Sequence, residues 1–120
     1  MSHLHKSLQY REAIDALVEV CRHGQGQVGA RRARSGVWNP GAGPDTLPDQ
    51  HQINILIASL AQKDRETLAS MLSGAVETGV FETLKVLESL SIAPFEDGYE
   101  GSPYNDFIGR LSGEWEWPEQ

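Results

Sequence analysis

Cysteine is nearly missing from this chain of 120 residues, where Cys21 is the only one. No disulfide can close within it, and no structural zinc site built on several thiolates is available. Long apolar runs are missing too. The longest, INILIASLA at residues 53–61, falls far short of the ~20 residues that a membrane-spanning helix needs. The opening MSHLHKSLQYRE lacks the apolar core of a secretory signal. These absences predict a reducing, cytoplasmic setting and no membrane partner.

Positive charge is scarce. Ten lysines and arginines face seventeen acidic residues, for a formal net charge of −7. That balance opposes nonspecific binding to nucleic acid or to anionic lipid. The basic groups that exist gather early. Residues 1–34 hold six of them against three acids, whereas residues 94–120 hold seven acids against Arg110 alone. GARRARSG, residues 29–36, is the one basic cluster. It is expected to be a solvated loop or to dock on the chain's own acidic C-terminal tail, and nucleic acid is not the expected partner.

Catalytic signatures are also lacking. The histidines, His3, His5, His23 and His51, show no metalloprotease spacing, and no serine occupies a nucleophile elbow. GQGQVG lacks the lysine and the preceding strand of a phosphate-binding loop. Cys21 lies on an apolar helical stripe, the place of a small core residue rather than a nucleophile. No catalytic residue and no cofactor is assigned. Glu96, Asp97, Glu100 and Asp106 offer oxygens of the kind a hard cation takes. The calcium-loop pattern fails, however, because Tyr99 and Gly101 stand where ligands belong. Turn-forming and capping are the expected work of Asp97 and Asp106, and no metal is assigned. The terminus Ser2-His3-Leu4-His5 could chelate copper or nickel once Met1 is removed.

What is present reads as helix. In LQYREAIDALVEVCRHG, Tyr10, Ile14, Leu17, Val18 and Cys21 share one face, and Gly24 is a stop. Residues 24–45 carry six glycines and two prolines, and their composition predicts a long loop. Val37 and Trp38 would pin its middle to the core. A second helix begins near Thr46, with Pro48 in its first turn and Thr46–Asp49 as an approximate capping box. Ile53, Leu56, Ile57, Leu60 and Ala61 share a face of it, and Ile55 lies opposite. It therefore belongs at the centre of the core, or it gives its second face to a homodimer.

Two helices follow, about 63–78 and 80–91. Leu68, Met71, Leu72, Ala75 and Val76 make one stripe, and Val80, Leu84 and Leu87 make another, rotated by about a third of a turn. The phase changes at Gly79, so a break is expected there, with one bent helix as the alternative. A short fifth helix, about 103–111, starts on Ser102-Pro103 and ends at Gly113. The fold class is all-α: a single domain of four helices plus a short fifth, a Gly-rich loop, and an extended C-terminal strap.

Six of the nine aromatics fall in the last 26 residues. Trp38, Phe95, Tyr99, Tyr104, Phe107, Trp115 and Trp117 could seal the open end of a bundle, form a protein interface, or wall a small-molecule pocket, in that order of preference. In GEWEWPEQ, residues 113–120, an extended backbone would turn Trp115 and Trp117 to one side, with Glu114 and Glu116 facing water. The run PFEDGYEGSPYNDFIGRLSGEWEWP, residues 94–118, together with SGVWN at 35–39, resembles a family of small uncharacterised bacterial proteins, a domain of unknown function. The resemblance implies a bacterial, cytoplasmic setting and no activity.

Two functions remain in view. One is a noncatalytic binding or interaction protein, of immunity type in its size and charge, with Tyr99, Tyr104, Asp106, Trp115 and Trp117 on its face. The other is a small-molecule binder or enzyme, with a pocket between the Trp38 loop and the C-terminal segment and with Asp97, Asp106 and Arg110 as its polar groups.

Overall fold

In the computed structural model, residues 7–113 and 115–118 are described. Five α-helices follow one another: α1 (Leu8–His23), α2 (Val28–Ser35), α3 (Pro48–Ser59), α4 (Gln62–Ser89) and α5 (Pro103–Ser112), with a single 3-10 turn at Gln25–Gln27 before α2. There is no strand among the described residues. The fold is all-α, as the sequence predicts. No helix among the described residues is long and apolar enough to cross a membrane.

The chain divides into two compact units. One combines residues 1–23 with 77–120, and the other is residues 24–76. In the first, α1 packs against α5. Tyr10, Ile14, Val18 and Cys21 are buried, as the stripe predicts, together with Leu84, Tyr99 and Phe107. Arg22, in the last turn of α1, donates through Nη2 to the carbonyls of Arg110 and Leu111 at 3.4 and 2.5 Å. Those are end-of-helix carbonyls of α5, of which Arg110's also accepts the N–H of the C-cap Gly113 at 3.2 Å. The fifth helix starts and stops where expected. Ser102 is its N-cap residue, Pro103 follows, and Gly113 ends it in the left-handed conformation at φ 78°.

The unit of residues 24–76 corrects the expectation of a loop over 24–45. Residues 28–35 are the helix α2. Ala30 and Ala33 face inward and pack with Ala69 of α4, and Leu68 and Leu72 lie against them. Small residues let the two helices approach closely. The glycines mark the helix rather than dissolve it. Gly36 supplies the left-handed C-cap at φ 88°. Gly29 leaves room for the Trp38 ring, whose Cη2 would lie 3.1 Å from an added Cβ. The stretch after α2 is irregular, and α3 holds it. Asn54 Oδ1 accepts the backbone N–H groups of Trp38 and Asn39 at 2.7 and 3.0 Å, and its Nδ2 donates to the Asn39 carbonyl at 2.7 Å. Trp38 is half-buried, as a pin should be, whereas Val37 is 46% exposed.

Two further expectations change. First, α3 is not a central core helix: only Ile57 is buried in it, and Ile55 and Leu56 are 51% and 55% exposed. Leu60 and Ala61 fall beyond its end. Nor does Thr46 cap it. The N-cap residue is Leu47, with no side-chain cap bond, and Thr46 instead exchanges backbone hydrogen bonds with Gly43. Second, α4 runs without a break through Gly79. The phase change has another cause: Leu68, Ala69 and Leu72 serve the core of one unit, and Leu84 serves the other. A helix whose two halves bury different faces needs no kink between them.

Candidate functional site

Two carboxylates organise the aromatic end of the first unit. The side chain of Asp106, in the first turn of α5, is fully buried. Its Oδ2 accepts the Tyr10 hydroxyl at 2.6 Å and the Tyr99 N–H at 2.9 Å, and its Oδ1 accepts the Glu100 N–H at 2.9 Å. Three donors satisfy a charge that would otherwise be costly to bury. Gly98 is required beside it. An added Cβ there would stand 2.6 Å from Asp106 Oδ2 and 2.8 Å from the Ser102 carbonyl carbon. Burial first, and then the bond to Asp106, hold the Tyr10 hydroxyl well above the usual tyrosine range, so it stays protonated as a donor.

Asp15 of α1 is the second centre. Its Oδ1 accepts Arg110 Nε at 2.8 Å, and its Oδ2 accepts Arg110 Nη2 at 3.3 Å and the Trp117 indole Nε1 at 2.8 Å. Arg110 also donates through Nη1 to the Trp115 carbonyl at 3.0 Å, and its guanidinium lies 5.3 Å from the centre of the Trp117 ring. These bonds fasten the C-terminal segment. The rings of Trp115 and Trp117 meet edge to face at 5.0 Å, and both lie against Tyr99, at 6.1 and 5.5 Å. Trp117 also meets Tyr10 at 6.1 Å. Both indoles thus turn to one side while the Glu116 side chain is 93% exposed. That is the arrangement expected of an extended strap. Glu114 lies outside the described residues, as do His3 and His5.

Seven of the eight nominated residues, Asp97, Tyr99, Tyr104, Asp106, Arg110, Trp115 and Trp117, belong to this unit, and Trp38 belongs to the other. Tyr99, Asp106, Arg110, Trp115 and Trp117 come together, chiefly with one another and with α1. Tyr104 lies apart from that group, edge to face with Phe81 at 4.8 Å. Asp97 is exposed on a shallow depression with Gly98, Tyr99 and Gly101. Trp38 meets Arg32, whose guanidinium carbon lies 5.8 Å from its ring.

Sequence reasoning passed over Tyr10 and Asp15, the partners that give Asp106 and Arg110 their roles. One signal was present. A tyrosine on the apolar face of α1 must find an acceptor once it is buried.

Two open grooves flank this end. One, of about 450 Å³, is lined by Glu100, Asn105, Gly109, Ser112 and Trp115. The other, of about 330 Å³, is lined by Glu77, Thr78, Phe81, Glu82 and Ile108. No group of three or more histidine, cysteine, aspartate or glutamate side chains converges as a metal site would among the described residues. Cys21 is buried. Burial first, and then the nearby Glu77 charge, push its thiol pKa up, the reverse of what a nucleophile needs.

Neither the curated proteins nor the solved structures contain a match to this chain. Residues 4–119, nearly its whole length, do match one family, and the chain belongs to it: a family of unknown function, DUF6547.

Proposed function

We propose that the chain is a noncatalytic binding protein whose partner is a basic protein in a bacterial cytoplasm, in the manner of an immunity protein that masks a toxin. One observation carries the reading: the negative charge is partitioned. The unit of residues 1–23 and 77–120 holds thirteen acidic side chains against five basic ones, whereas residues 24–76 hold four against five. A predominantly negative field of that kind steers a basic protein into encounter and repels acidic competitors. The buried bond between Tyr10 and Asp106 and the half-buried bonds of Asp15 hold the acidic unit in shape. Its exposed carboxylates and half-buried aromatics make the surface.

The test is reconstitution. Proteins captured from the native host are identified, and each basic candidate is purified and titrated against this chain. A one-to-one complex at micromolar concentration, weakened steeply by salt, supports the reading. Binding only to acidic or neutral proteins, or to none, sinks it.

A second reading, a small-molecule site, has in its favour the groove against Trp115. There an aromatic wall meets the side chains of Glu100, Asn105 and Ser112. A ligand-specific rise in melting temperature that Trp115→Ala abolishes would favour it.

A further inference from the structure

We propose that the basic partner docks in the groove between α4 and α5, inserting an arginine side chain flanked by an aliphatic one. The inference rests on the reading of the chain as a binder of a basic protein.

The groove belongs wholly to the acidic unit. Helical spacing places Glu77 with Phe81, and Thr78 with Glu82, one turn apart on the same face of α4. Ile108 of α5, 40% exposed, forms the apolar part of the opposite wall. The Phe81 ring meets Tyr104 edge to face at 4.8 Å and 60°. The groove thus combines the apolar side chains of Phe81 and Ile108 with the carboxylates of Glu77 and Glu82.

Its fitness for a cation is already displayed by the chain itself. The Lys85 ammonium lies 5.7 Å from the centre of the Phe81 ring, 5.9 Å from that of Tyr104, and 3.7 Å from Glu82 Oε2. A positive group beside these rings and this carboxylate is thus a combination the surface accepts. An incoming guanidinium is the better occupant of the remaining slot. It stacks its plane on an aromatic face and bridges both oxygens of a carboxylate at once, whereas an ammonium meets each only as a point charge. The aliphatic neighbour would cover Ile108. Charge complementarity thus selects the partner's chemistry, and the apolar lining of Phe81 and Ile108 selects the side chains beside the charge.

The probe is a fluorescently labelled synthetic peptide of arginine, leucine and alanine, titrated by anisotropy. A matched peptide with citrulline in place of arginine is the control. The wild-type chain is expected to bind the arginine peptide and to discriminate against the citrulline one. The double variant Glu77→Gln/Glu82→Gln should weaken binding about tenfold, the scale of ~1.4 kcal/mol from lost charge-assisted contacts. Phe81→Ala should weaken it comparably. Glu12→Gln/Glu96→Gln, which removes the same charge elsewhere in the unit, should change it by less than about twofold, because exposed charges act weakly at a distance. Circular dichroism melts confirm that each variant is folded.

If Glu12→Gln/Glu96→Gln weakens binding as much as the groove variant, the groove is overturned while a basic-partner reading survives. Failure of the arginine peptide to bind at low salt overturns both. Sedimentation of the chain alone as a dimer that Glu77→Gln/Glu82→Gln dissolves would make a second copy the occupant and overturn the foreign partner.

Discussion

The Tyr10 hydroxyl donates to Asp106 Oδ2 at 2.6 Å, joining residues 96 positions apart in sequence. Both side chains are fully buried. The bond therefore ties the first turn of α1 to the first turn of α5 and, through the same carboxylate, to the backbone at Tyr99 and Glu100. Asp106→Ala should orphan three donors at once and destabilise the chain by about 3 kcal/mol or more, at ~1–3 kcal/mol per stranded buried group. Tyr10→Phe leaves two donors in place and should cost about 1–2 kcal/mol. Urea unfolding of the two variants checks the ranking.

Alkali should act through the same pair. Folding raises the Tyr10 pKa above its unfolded value of about 10, so the native state keeps a proton that the unfolded chain gives up. The stability this contributes is fully present below pH ~10 and is lost as pH climbs from there towards the folded pKa. Cys21, shifted in the same direction, adds a loss that begins as pH passes the ordinary thiol pKa. Unfolding free energies measured from pH 8 to 11 should fall at the upper end, and more shallowly for Tyr10→Phe.

Gly79 and Gly98 should respond oppositely to alanine. Gly79 lies inside α4, with nothing within 4 Å of an added Cβ. Gly79→Ala should stabilise by about 0.5–1 kcal/mol, the helix-propensity gain. A required break at that position would reverse the sign. Gly98→Ala would drive a methyl group into Asp106 and Ser102. A loss near 3 kcal/mol is expected, at the upper end for overpacking. Thermal melts of both variants suffice.

Asp15→Ala should loosen the strap. The variant removes the acceptor of both Arg110 and the Trp117 indole. Asp15 is 40% exposed, so solvent offsets part of the loss and about 1–2 kcal/mol is expected. The clearer signal is optical. Freed from the T-shaped contact of Trp115 with Trp117, the indoles should emit further to the red well below the melting temperature.

Local chemistry explains which parts of this fold were legible in sequence. The buried face of α1 follows from the spacing of Tyr10, Ile14, Val18 and Cys21, and both ends of α5 follow from Ser102-Pro103 and Gly113. The strap followed from spacing alone, because two residues two apart share a side only in extended backbone.

What stayed hidden depended on distant partners. Glycines around GARRARS obscured α2, because Gly29 answers to the Trp38 ring and Gly36 to the helix end rather than to a loop. The stripe shift in α4 imitated a break because each half buries its residues in a different unit. Asp106 resembled a surface ligand in the sequence, since nothing near it shows that Tyr10 arrives to neutralise its burial.

The division of the acidic unit between the two ends of the chain has a consequence during synthesis. Alpha-helix α1 leaves the ribosome first, with Tyr10, Ile14, Val18 and Cys21 on one face. Asp106, the acceptor of the Tyr10 hydroxyl, is made 96 residues later. At ~5–20 residues per second, that is an interval of about 5–20 s. Throughout it, the nascent chain carries an apolar stripe that its own native cover has not yet reached.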